Sequence, residues 1–113
     1  MALISDEVAA DLRKAFEKLK DPVRLAVFSQ ALADPESEQV KRLVEELAGL
    51  EPRITAESWN FVLDTEKVAE LNIQRIPAIA VLGATKDYGI RMYGLPSGYE
   101  FGALVEAILD VSS

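Results

Sequence analysis

The sequence contains no cysteine and no histidine. Their absence removes thiol nucleophiles, disulfides, imidazole bases and the commonest zinc ligands together. No apolar run approaches the length of a membrane span, and residues 1–7 show no basic stretch ahead of an apolar core, so a cytoplasmic protein is expected. Basic charge is also scarce. Against 19 acidic residues stand 12 basic ones scattered along the chain, a formal charge of −7 that opposes approach to nucleic acid and to anionic membranes. Asparagine and glutamine are few, which fits a heat-adapted source.

What is present is the composition of a globular chain. Half of the 113 residues are apolar and 27% are charged, enough for one core and too short for two, so residues 1–113 are expected to form one domain. Val8, Leu12, Ala15, Phe16 and Leu19 recur at three and four, predicting a helix over 5–20 that stops at Asp21-Pro22. Residues 23–29 are a short apolar run suited to a strand buried on both faces. A loop over 30–33 precedes Asp34-Pro35-Glu36-Ser37, where an N-cap, a first-turn proline and an acidic residue at the positive end of the dipole start a helix. Val40, Leu43, Val44 and Leu47 form its inner face. Glu38, Lys41, Arg42, Glu45 and Glu46 read as a solvated face, and Gly49 and Pro52 as its close.

A second strand is expected over 58–63, with Trp59 and Phe61, like Phe28, in the core. Asp64-Thr65 caps a short helix with Val68 and Leu71 inward and Asn72 as a left-handed stop. Then comes Ile76-Pro77, followed by an apolar strand over 78–82. Proline suits a strand's first position, and an X-Pro bond is the one peptide link that readily turns cis. That form would leave the backbone groups of Ile76 free to pair with a visiting chain. A turn over 83–89 leads to an antiparallel strand over 90–94, and Ser97 with Glu100 forms a capping box ahead of Phe101, Leu104, Val105, Ile108 and Leu109. Tyr88, Tyr93 and Tyr99 lie near this end as candidate surface contacts. The order demands a parallel right-handed crossover and then a hairpin, giving a four-stranded mixed α/β sheet with helices on both faces and an extra N-terminal helix.

That order is the thioredoxin-like one, and the segment Arg75-Ile76-Pro77 with the apolar run 78–82 resembles the piece that carries the cis-proline in thioredoxins. A narrower likeness extends over nearly the whole chain. Leu3-Ile4-Ser5-Asp6, residues 22–28, residues 40–47 and above all Tyr93-Gly94-Leu95-Pro96-Ser97-Gly98-Tyr99-Glu100-Phe101 resemble the N-terminal unit of the glutaredoxin-like protein disulfide oxidoreductases of thermophiles. That family joins two thioredoxin units in one chain and places a Cys-x-x-Cys pair at the start of the helix after the first strand. Along the aligned helix the pair falls on Asp34 and Ser37, with Pro35 and Glu36 between them. Disulfide exchange needs a sulfur nucleophile, so the activity implied by the resemblance does not carry over. A carboxylate at a helix N-terminus is a weak base, and Ser37 has no histidine to activate it. Asp34, Glu36 and Glu38 point in different directions along one turn, which disfavours a metal site, and no cofactor is expected.

The leading expectation is a redox-inactive interaction or structural module that holds a protein or peptide partner beside Ile76 and Pro77, with a homodimer as a corollary. An alternative is the substrate-holding subunit of a split oxidoreductase whose cysteines lie on another chain. Glutathione-linked transfer on the same fold is a third possibility.

Overall fold

In the computed structural model, which describes residues 3–30, 35–96 and 99–112, the elements run α1 (Asp6–Phe16), β1 (Val23–Ser29), α2 (Pro35–Leu50), β2 (Ile54–Asn60), α3 (Thr65–Glu70), β3 (Ala78–Gly83), β4 (Asp87–Tyr93) and α4 (Tyr99–Ser112). They build one mixed sheet in the order β2-β1-β3-β4. β1 and β2 are parallel from Val23 opposite Ile54 to Ser29 opposite Asn60, so α2 is the crossover between them. β3 runs antiparallel to β1, and β4 antiparallel to β3.

Side-chain alternation on the two central strands divides the interior. Val23, Leu25 and Val27 with Ile79 and Val81 face α1, α2 and α4, where Phe16, Val40, Val44, Leu47, Leu104 and Ile108 close over them. Ala26 and Phe28 with Ala78, Ala80 and Leu82 face the other side, where Leu71 and Ile73 cover them and Trp59, Phe61 and Val68 pack as half-buried neighbours. Helices thus lie on both faces. β3 is buried at every position, as a central strand under two layers must be.

Several boundaries differ from the expectation, each for a local reason. Helix α1 stops at Phe16, and residues 17–20 turn tightly, with Leu19 N–H donating to Phe16 C=O at 3.1 Å. Its buried stripe is Ala9, Leu12 and Phe16, whereas Val8 is 40% exposed, because at 100° per residue Val8 falls to one side of that stripe. Strand β2 begins at Ile54 and ends at Asn60, earlier than expected at both ends. Asn60 Oδ1 accepts the N–H groups of Val62 and Leu63 at 2.8 and 2.9 Å, which bends 61–63 into a turn and leaves Val62 and Leu63 exposed. Asp64 precedes α3 without capping it through its side chain, and its carboxylate accepts from Asn60 N–H instead. Asn72 does take the left-handed conformation, at φ 54. Strand β4 starts at Asp87 rather than Ile90, because Gly83 N–H already meets Lys86 C=O at 2.8 Å and the turn closes early.

Gly49 stays inside α2, which ends at Leu50. The charged face of that helix is largely solvated, but Glu46 is not part of it. Its carboxylate accepts the N–H groups of Leu3 and Ile4 at 2.7 and 2.9 Å and ties the chain's start to α2. Ser97 of the expected capping box lies outside the described residues.

Candidate functional site

The N-terminal turn of α2 and the entrance to β3 lie at one end of the sheet. Pro35 opens the helix, and Ser37 is turned inward, 3% exposed, on its first turn. The Glu36 carboxylate accepts the N–H of Leu95 at 3.2 Å, so this turn is fastened to the chain leaving β4. Asp34 lies outside the described residues. Gly94, at φ 81 and therefore in the region that favours glycine, donates its N–H to Pro77 C=O at 2.9 Å. Gly94 and Leu95 thereby connect the Pro35-Glu36-Ser37 turn to Pro77. The structure brings the two groups of sequence-predicted residues to one rim, through an intermediary.

The Ile76–Pro77 bond is cis. Pro77 is buried, and Ile76 is half-buried against the cluster around Phe28. Neither the N–H nor the C=O of Ile76 has a hydrogen-bond partner among the described residues. The approach to this point is braced by Tyr93. Its hydroxyl accepts Gln74 N–H at 3.2 Å, and the Arg75 guanidinium lies 4.4 Å from its ring centroid. Asn72 Oδ1 accepts from the Gln74 amide at 2.7 Å. The rim therefore offers an extended stretch of backbone with one open donor and one open acceptor, an aromatic floor and a single cation beside them.

Of the other tyrosines, Tyr88 is 53% exposed on β4 with the Lys86 ammonium 5.0 Å from its ring centroid, and the Tyr99 side chain lies outside the described residues. Sequence reading gives Arg75 no role and treats Tyr93 only as one of three surface tyrosines. Their pairing joins positions far apart in the chain and leaves no local signal.

Two hollows flank the rim. A polar one of about 270 Å³ lies at the carboxyl ends of β1 and β2, lined by Ser29, Gln30, Glu38, Lys41, Trp59 and Asn60 among others. An apolar one of about 500 Å³ lies between α1, α2 and the segment after β4, lined by Leu3, Val8, Leu43, Leu95 and Phe101 among others. No group of three or more carboxylate, histidine or cysteine ligands placed for a metal ion occurs among the described residues, and no helix there is long and apolar enough to cross a membrane.

No family model matches the chain. Solved structures do match it. The NTD_N/C domain of the alkyl hydroperoxide reductase AhpF of Enterococcus faecalis superposes with a TM-score of 0.89 at 31% identity, over 97% of this chain and 53% of that one. A protein disulfide oxidoreductase of Aeropyrum pernix superposes at 0.82 and 25% identity, over 96% of this chain and 47% of that one. The thioredoxin of Fasciola hepatica superposes at 0.63 with 19% identity, over 87% and 91% of the two chains. The fold is thioredoxin-like. Among curated relatives, an NADH dehydrogenase of Ferdinandcohnia aciditolerans is 32% identical over 97% of this chain, and an alkyl hydroperoxide reductase of Staphylococcus aureus 30% identical over 91%. The chain spans 18% of the length of each of these relatives.

In this thioredoxin-like chain the segment before β3 is the one that stands out in the sequence, and the helix after β1 is the one on which the resemblance places the cysteine pair. No residue of the chain is a cysteine. Ser37 stands inward where the second thiol would be, and the protein has no imidazole to raise its nucleophilicity.

Proposed function

We propose that the chain is a thioredoxin-fold protein without thiol redox activity, acting as an interaction or structural module that holds an extended protein segment against Ile76. The observation that carries this reading is the open N–H and C=O of Ile76 at the rim, in a chain with no cysteine. A visiting strand supplies the missing partners for both groups, as in recognition by strand addition, and the Arg75–Tyr93 pair beside them favours a segment with an acidic or aromatic residue. The protein works as one domain in the cytoplasm. Its acidic surface keeps it from nucleic acid, and its few amide side chains fit a heat-adapted cell.

Titration of isotopically labelled protein with extended acidic peptides tests it. The Ile76 amide resonance and those of its neighbours are expected to shift saturably, while insulin reduction by this chain alone stays at the uncatalysed rate. Unmoved Ile76 resonances at millimolar peptide count against the holding role, and measurable turnover against the absence of redox activity.

A second reading is favoured by the names of the relatives, which include reductases and a disulfide oxidoreductase, and by the chain's spanning about half of two of the matching structures. The module then holds a substrate for cysteines carried elsewhere. Adding this protein to a Cys-x-x-Cys thioredoxin-fold unit accelerates disulfide reduction under that reading and leaves it unchanged otherwise.

A further inference from the structure

β2 is one edge of the sheet, and the bonds at its two ends define which way its backbone faces. Val23 N–H donates to Arg53 C=O and Phe61 N–H to Ser29 C=O, each at 2.8 Å. In a parallel ladder with Val23 opposite Ile54, these bonds turn the N–H and C=O of Thr55, Glu57 and Trp59 toward β1. The groups of Ile54, Ala56, Ser58 and Asn60 then face outward. The ends of that outward row are already occupied. Ile54 N–H donates to Glu51 C=O at 3.0 Å, Asn60 N–H to the Asp64 carboxylate at 2.6 Å, and Asp64 N–H to Asn60 C=O at 2.8 Å. The C=O of Ile54 and both groups of Ala56 and of Ser58 have no partner among the described residues.

Edges of sheets are normally guarded, and the two edges here differ in this respect. β4 carries a register shift opposite Val81 and Leu82, a glycine at φ 84 and the guanidinium of Arg91 clamped on Asp87. β2 has no proline, no lysine and an unbroken register with β1. Its one charged side chain, Glu57, is bonded to Arg24. Thr55, Ala56 and Ser58 present small exposed side chains.

We propose that two copies of this chain join through β2, antiparallel and edge to edge, about a two-fold axis at Ala56. The surface is distinct from the Ile76 rim, and a second copy is the occupant that fits because the strand complements its own reverse. With the axis at Ala56, the two Ala56 residues exchange both of their bonds, and each Ser58 N–H donates to Ile54 C=O of the second copy. Thr55 falls opposite Glu57 and Arg53 opposite Trp59, one step from the second copy's Glu57, so that a guanidinium meets an indole and a carboxylate. An axis at Glu57 sets two carboxylates face to face. An axis at Ser58 needs the groups of Asn60, which Asp64 has taken. Each copy carries a charge of −7, so the association strengthens as salt screens the repulsion.

The absence of cysteine makes this open to a direct test. Residues exchanging bonds across an antiparallel pair have Cα atoms ~5.5 Å apart, within the range a disulfide spans. Ala56→Cys is expected to form a disulfide-linked dimer under mild oxidation, whereas Ser58→Cys, whose two copies stand four residues apart along the strands, stays uncrosslinked. By sedimentation equilibrium the wild-type mass is expected to climb from 12.4 kDa toward twice that value with concentration, more steeply at high salt. Ser58→Pro removes an outward N–H without touching the ladder to β1 and is expected to remain at 12.4 kDa with its melting temperature at low concentration unchanged. Ala56→Lys serves the same end should the proline variant not fold. A wild-type protein that stays monomeric at about millimolar concentration in both salts overturns the proposal, as does equal crosslinking at positions 56 and 58 or a dimer that survives both edge variants.

Discussion

Ser112, near the end of α4, is 1% exposed and makes three hydrogen bonds to the link between α1 and β1. Its hydroxyl accepts the N–H of Lys20 at 2.7 Å and of Asp21 at 3.0 Å and donates to Asp21 C=O at 2.9 Å. Asp21 N–H also donates to Ser112 C=O at 3.1 Å, so it keeps a partner when the side chain is truncated. Ser112→Ala therefore orphans two groups, the Lys20 N–H and the Asp21 C=O. A buried unsatisfied polar group costs ~1–3 kcal/mol, and because these two are only partly buried the lower part of that range applies, for a total of about 2–3 kcal/mol. In a domain of this size that lowers the melting temperature by roughly 10 °C. Urea unfolding followed by tryptophan fluorescence is the assay, with an unchanged m-value expected, since no surface is added or lost. Hydrogen exchange adds a local readout, with Lys20 losing protection first. A loss below about 0.5 kcal/mol refutes the reasoning, because it means that water satisfies the orphaned groups at no cost.

Other substitutions separate the packing from the surface. Leu12→Ala is expected to cost about 2–5 kcal/mol, whereas Val8→Ser, on the same helix, changes stability by less than about 0.5 kcal/mol; equal losses would contradict the placement of the buried stripe. Asn72→Gly is expected to be near neutral and Asn72→Ala to cost about 1 kcal/mol, since only the latter places an ordinary side chain at positive φ; denaturant midpoints decide it. The hydrogen bond from Arg24, opposed by burial, holds the Glu57 carboxyl below its ordinary range. A depressed carboxyl stabilises the fold above its unfolded pKa of ~4.3, and that contribution fades as pH falls through the lower folded value. The stability gap between wild type and Glu57→Gln is thus expected to be constant from neutral pH to about pH 5 and to close below about pH 4 in urea melts. A gap that persists at the acid end is the contrary result.

Where an element's own residues dictate its state, the sequence was a sufficient guide. β1 is a continuous apolar run buried on both faces and was legible at both ends, and the start of α2 was legible from Pro35. β2 and the start of β4 were not. Both are edge strands, so half of each needs no apolar side chain, and their limits are set by what they pair with and by the side-chain bonds of Asn60, Asp64 and Asp87. The site divides the same way. Pro77 ahead of an apolar run marks itself, but the Glu36–Leu95 bond joins residues 59 apart and the Gln74–Tyr93 bond residues 19 apart, and only the folded chain brings them together. Ser112 gave no sign at all, being a serine in a helix whose partner lies 92 residues earlier.

The position of β1 in the middle of the sheet bears on synthesis. It leaves the ribosome early, yet its two neighbours are strands 54–60 and 78–83. The last of about fifty intervening residues is added roughly 3–10 s after β1 at ordinary elongation rates. Throughout that interval the most apolar strand of the chain has at least one open side. Nascent chains halted before residue 78 are therefore expected to recruit chaperones, and those halted well beyond residue 83 to release them, so the length at which release occurs reads out the moment β3 docks.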